Sequence, residues 1–134
     1  MINDIARPEV EGIGMAVIKE LNEDLQEEWA VYLINMKPVN IDLVLVSSRG
    51  YGTRKKEEVK TSELRHFLDE MPTNSFRKVE LIPEELHGIS NQYWVSFREN
   101  ELLYDKKYVF LAESIREENM TLVPVIGKRG VLII

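Results

Sequence analysis

The stretch RGYGTRKKEEVK, from Arg49 to Lys60, holds the residue types best suited to meeting an anion. Arg49, Arg54, Lys55, Lys56 and Lys60 stand against Glu57 and Glu58, a local balance of +3. Gly50 and Gly52 carry no Cβ that would keep a phosphate off the backbone amides, and Tyr51 between them offers a ring to stack on a base or sugar. A P-loop, however, requires its glycines, lysine and Ser/Thr at set intervals between a strand and a helix, and that spacing is missing. RGYG is therefore read as a solvated turn between strands, its glycines supplying positive φ and its charges keeping it soluble. A second basic turn, GKRG at 127–130, adds Lys128 and Arg129. Were the two turns to meet, Arg49, Tyr51, Arg54, Lys55, Lys56, Lys128 and Arg129 would form one anion-binding surface. A plain hairpin accounts for the second turn as well.

The remaining reactive residue types are sparse. His66 and His87 are the two imidazoles. They are far apart, with no HExxH and no carboxylate at ligand spacing, so no metal site and no cofactor are expected. Ser90, His87 and Asp105 could be drawn as a triad, but no nucleophile-elbow glycines surround any serine, and no catalytic residue is assigned. An enzyme would instead announce itself as a polar pocket holding His66 or His87 within hydrogen-bond reach of an acid. The paired carboxylates at 27–28, 57–58, 84–85 and 117–118 fall in polar connections and read as solvated surface. Trp29 and Trp94 are the candidate protein-interface residues. Trp94 has the opposite parity to the apolar set Tyr93, Val95 and Phe97, which places an indole on the polar side of a strand.

The elements that would carry these residues are mostly extended. Ile13, Met15 and Val17 alternate, as do Tyr93, Val95 and Phe97, with the two-residue period of a strand. Trp29 to Met36 is apolar at both parities, as expected of a strand covered on both faces or lying in an oligomer contact. Lys37-Pro38-Val39-Asn40 interrupts it, and Ile41 to Ser47 is the next strand. A tight hairpin is expected between Phe97 and Leu102 around Asn100. Thr121 to Ile126 reads as a strand whose Pro124 marks an edge or bulge. Leu64, Phe67, Leu68 and Met71 instead follow i, i+3, i+4, i+7, so one short helix or helical crossover is expected at 62–71. The whole reads as an all-β protein, an antiparallel β-sandwich with immunoglobulin-like architecture, with residues 1–10 as an N-terminal tail and 11–134 as one domain.

The totals fit this object. A chain of 134 residues, 44% hydrophobic and 30% charged, can build one core without metal or disulfide, and it has no cysteine. The start MINDIARPEV lacks a basic segment followed by an apolar core, and no apolar run approaches the roughly 20 residues of a membrane span. No membrane association is expected, and the cytoplasm is the expected compartment. Residues 1–36 hold eight acids against Arg7 and Lys19, the whole of the net charge of −6, so the remainder is neutral. That balance disfavours a duplex-binding protein, which displaces counterions with Lys and Arg.

At VSSRGYG, VKTSELRHF, QYWVSF, LYDKKYVF and GKRGVLI the chain resembles a group of short uncharacterised bacterial proteins of similar length. Some of these carry the label phenylalanyl-tRNA synthetase beta subunit, but no tRNA-binding or aminoacylation motif matches the residues here. The resemblance implies a self-contained domain and supplies no functional residue. The functional expectation is a non-enzymatic protein-interaction module binding a partner or a second copy of itself as a homodimer. The alternative is nucleic-acid or phosphate-ligand binding through the turns at 49–56 and 127–130.

Overall fold

A computed structural model describes residues 8–134, so residues 1–7 of the expected N-terminal tail lie outside the described residues. Strands make up 61% of the structure and helical turns 5%, which makes the chain all-β as expected. Among the described residues ten strands form two packed antiparallel sheets. Their ranges are β1 (Ile13–Leu21), β2 (Glu27–Asn35), β3 (Ile41–Arg54), β4 (Glu57–Lys60), β5 (Leu64–Met71), β6 (Ser75–Leu81), β7 (Ser90–Glu99), β8 (Leu102–Phe110), β9 (Thr121–Leu122) and β10 (Arg129–Ile133). The first sheet has the order β6-β2-β1-β10-β9. The second has the order β4-β3-β7-β8, with β5 following β4 along the same edge of β3. Among the described residues no helix is long and apolar enough to cross a membrane.

The alternation places one side chain set between the sheets. Ile13, Met15 and Val17 of β1 and Trp29, Val31 and Leu33 of β2 meet Val44 and Val46 of β3 and Tyr93, Val95 and Phe97 of β7 in the main core. The other parity of β1 and β2 is also buried. Ala16, Ile18 and Ile34 pack beneath Val123 and Ile126, which the chain between β9 and β10 lays across the outside of the first sheet. This double covering explains why Trp29 to Met36 is apolar at both parities. The buried Asn35 closes the end of the sandwich: its amide donates to the carbonyls of Val39, Met71 and Pro72, where the chain crosses between sheets.

Three expectations need correction. First, 62–71 is not helical, because Leu64–Met71 pairs with β3 as a strand. His66 and Leu68 turn toward the core side, and an irregularity at Asp69 (φ 66°) then shifts parity so that Met71 is inward too. The three-residue step from Leu68 to Met71 that resembles a helix is a bulge. Leu64 and Phe67, the other half of the apparent stripe, are 51% and 61% exposed.

Second, RGYG is not a turn. It lies inside the fourteen-residue β3, and the turn is Lys55-Lys56, with φ of 50° and 68°. Gly50 and Gly52 do not serve positive φ; they admit Ile89. A Cβ on Gly50 would lie 2.9 Å from Ile89 Cδ1, and one on Gly52 would lie 3.1 Å from Ile89 Cβ. Third, only Thr121–Leu122 of 121–126 is strand, because the chain leaves the sheet at Val123 to cover its outer face. The hairpin between β7 and β8 forms as expected, with Asn100 (φ 48°) and Glu101 (φ 68°) as its two turn residues.

Candidate functional site

Two places on this scaffold gather polar or unpaired groups. One lies between the sheets at the edge where β6 approaches β5. Glu80 sits in β6 opposite Val31, a core residue, and the ladder irregularity at Val31/Tyr32 leaves neighbouring Val79 buried too. The bulge thus sends two consecutive side chains inward, and the second is a carboxylate. Ser48 Oγ donates to Glu80 Oε1 at 2.7 Å, His66 Nε2 donates to the same oxygen at 2.7 Å, and the Tyr93 hydroxyl donates to Oε2 at 3.0 Å. All three donors belong to the second sheet. Burial, with Glu80 beside it, pushes the Tyr93 hydroxyl well above the usual phenol range. A cleft of about 250 Å³ opens alongside, bounded by Ser48, Thr61, Leu64, Glu80, Leu86 and Tyr93.

This cluster contains an imidazole paired to an acid next to a pocket, the arrangement that would announce an enzyme. Ser48 and His66 both meet Glu80 and not each other, so the cluster is not a Ser–His dyad. The cluster is a satisfied carboxylate holding two sheets together.

The second place is the outer face of the second sheet. Cross-strand pairing sets Phe67 beside Leu45, and Ser47 beside both Arg65 and Trp94. Arg49 pairs with Gln92, Tyr51 with Lys60, and Trp94 with Lys107. None of these outward residues is buried. Phe67 is 61% exposed and Trp94 41%. At one end of this face a depression of about 500 Å³ is lined by Arg49, Tyr51, Lys60, Thr61, Gln92 and Lys107, among others. The Arg49 guanidinium lies 5.9 Å from the centre of the Tyr51 ring.

The residues singled out in the sequence are distributed unevenly over these places. Arg49 and Tyr51 line the depression. Arg54 is engaged with the Glu85 carbonyl, and Lys55 and Lys56 form the exposed β3–β4 tip. Lys128 and Arg129 lie on the first sheet, lining a different depression with Lys19, Glu117 and Glu118, and Lys128 is 3.9 Å from Glu20. Trp94 stands on the open face, as its parity implied. Trp29 is in the core, 8% exposed, with its indole N–H donating to Glu84 at 3.3 Å and its ring edge-on to His87 at 5.1 Å, which leaves it little surface for a partner. Ser90, His87 and Asp105 do not converge: Ser90 Oγ accepts from Ala112 N, and His87 Nε2 meets the Ile82 carbonyl.

Glu80, Ser48, Lys107 and Phe67 were not legible as site residues. The sequence signal for Glu80 was weak, because the alternation of Val79 and Leu81 assigns it to the outward parity. Among the described residues no group of three or more His, Asp or Glu side chains could hold a metal ion. No protein-family model matches the chain, and no curated protein or solved structure does either.

Proposed function

We propose that this chain is a non-enzymatic protein-interaction module that receives its partner on the outer face of the second sheet. The observation that carries this is the pair Phe67 and Trp94, large aromatic side chains left exposed on a face where no outward residue is buried. The first sheet covers the centre of its equivalent face with Val123 and Ile126, leaving Phe76 exposed only at its β6 edge. A folded domain that covers the centre of one sheet and leaves the other open across its whole width is presenting a contact surface. Exposed Trp and Phe ringed by Arg and Lys supply the anchors and polar rim of an interface. Arg49, Lys60, Arg65 and Lys107 outnumber Glu58, Glu63 and Asp105 here, so the complementary surface is acidic as well as partly apolar.

The test compares proteins retained by immobilised wild type with those retained by the Phe67→Ala/Trp94→Ala double variant, with sedimentation velocity of both at micromolar concentration. The expected result is a partner held by wild type and lost from the variant, whose circular dichroism and melting are unchanged. Wild-type dimers that become monomers in the variant identify a second copy as the partner. Identical retention and identical sedimentation for the two proteins would overturn the proposal.

A further inference from the structure

We infer that the depression at Arg49, Lys60 and Lys107 seats an extended acidic segment of the partner, crossing the strands toward Trp94. The inference rests on the interaction face proposed above and assigns that face its binding chemistry. Three cations surround the depression, and among the described residues none of them has a carboxylate within ion-pair distance. Several other bases are already ion-paired: Lys19 with Glu27 and Glu117, Lys37 with Glu99, Lys78 with Glu20 and Arg98 with Asp42. Glu63, the one acid lining the depression, has Arg65 beside it at 3.9 Å. Like charges held together without counter-charges raise the local potential, and a ligand that supplies the missing anions is attracted there.

The spacing selects the ligand. Lys60 is on β4, Arg49 on β3 and Lys107 on β8, with β7 between the last two, so the row crosses three strand intervals. The row is also stepped along the strands, because Lys60 is level with Tyr51 and Lys107 with Ser47. At about 4.8 Å per interval and about 3.4 Å per residue the diagonal is roughly 20 Å long at the backbone. A single phosphate does not reach from end to end, whereas an extended peptide rising about 3.4 Å per residue covers it with roughly six residues. Carboxylates along that peptide meet the cations in turn. Lys107 is the cross-strand neighbour of Trp94, so the segment's next apolar side chain arrives at the indole. A nucleic-acid strand would need a longer basic track, and the other basic turn lies on the first sheet beside Glu20 and Glu117.

The experiment titrates isotopically labelled protein with hexaglutamate, with inorganic phosphate and with a single-stranded oligouridylate, following backbone amide shifts. The expected result is saturable binding of hexaglutamate, with shifts centred on Gly50, Tyr51, Thr61, Gln92 and Lys107. Affinity should fall about tenfold in Arg49→Gln/Lys107→Gln. It should also weaken as salt rises from about 50 to about 500 mM, while Lys128→Gln binds as wild type. Phosphate should bind more weakly than the peptide. Peptide shifts scattered over the surface, or unchanged by the double variant, would overturn the inference. So would oligouridylate binding the same residues more tightly than hexaglutamate. No partner is needed here and Phe67 is untouched, so failure of this titration is separable from failure of the aromatic-face test.

Discussion

The Tyr93 hydroxyl on β7 donates to Glu80 Oε2 on β6 at 3.0 Å, a hydrogen bond that passes from one sheet to the other. Ser48 and His66 complete the set from β3 and β5. At the opposite edge Tyr108 on β8 donates to the Ile13 carbonyl on β1 at 2.9 Å, so the sandwich is tied by polar contacts on both sides of its apolar core.

Removing Glu80 therefore strands donors rather than merely deleting one contact. Glu80→Ala should destabilise the protein by about 3 kcal/mol, because hydrogen bonds to a charged group are strong and the groups left behind lose their acceptor. Tyr93→Phe, which gives up one donor and leaves the carboxylate with two, should cost only about 1 kcal/mol. Urea denaturation monitored by circular dichroism measures both. Equal effects of the two variants would show that the carboxylate is not the centre of the cluster.

Gly50 tests the corrected role of RGYG. Its missing Cβ leaves room for Ile89 Cδ1 at 2.9 Å, Thr61 Cγ2 at 3.1 Å and Asn91 Oδ1 at 3.2 Å. Gly50→Ala should cost about 1–3 kcal/mol through overpacking. Combined with Ile89→Ala the two losses should add to less than their sum, since the second change vacates the space the first requires. A Gly50→Ala protein as stable as wild type would return the glycine to a merely permissive role.

These two sites show what sequence patterning can and cannot convey. Alternation identifies β1, β2 and β7 because each keeps one register with its neighbours over most of its length. It fails where a bulge changes parity, at Asp69 in β5 and at Val79 in β6. The first turns a strand into an apparent helical stripe; the second hides the fact that Glu80 points inward. The glycines of β3 mislead for a different reason. Close approach and positive φ both select glycine, and only the position of Ile89, thirty-nine residues beyond Gly50, distinguishes them. The outer face of the second sheet joins residues from five separate strands, so Phe67 and Lys107 become neighbours of Arg49 and Trp94 only through topology.

The β7–β8 turn offers a stabilising substitution. Asn100 and Glu101 both have positive φ, as a two-residue type I′ turn requires. Asparagine tolerates this conformation, whereas glutamate is strained in it. Glu101→Gly creates the preferred Asn-Gly pair and should raise stability by about 1 kcal/mol in urea denaturation. A fall in stability would mean that the Glu101 side chain outweighs its backbone cost.

Alkaline pH should loosen the fold through its tyrosines. Burial, aided by hydrogen bonding to Glu20, pushes the Tyr32 hydroxyl up to about 12, and burial also raises Tyr93 and Tyr108. An unfolded phenol ionises near pH 10, so above about that pH the unfolded chain releases protons that the folded chain retains. The contribution of these groups is complete below about pH 10 and declines as pH rises toward and beyond the folded values. Tyr32→Phe isolates one of them. The variant loses the hydrogen bonds to Glu20, at 2.8 and 2.9 Å, and should be less stable than wild type at neutral pH. Because phenylalanine cannot ionise when unfolded, the gap between the two proteins should narrow steadily as pH climbs from 10 toward about 12. Denaturation midpoints at successive pH values measure the gap, and a gap that stays constant over that interval would mean that Tyr32 ionises as readily in the folded protein as in the unfolded chain.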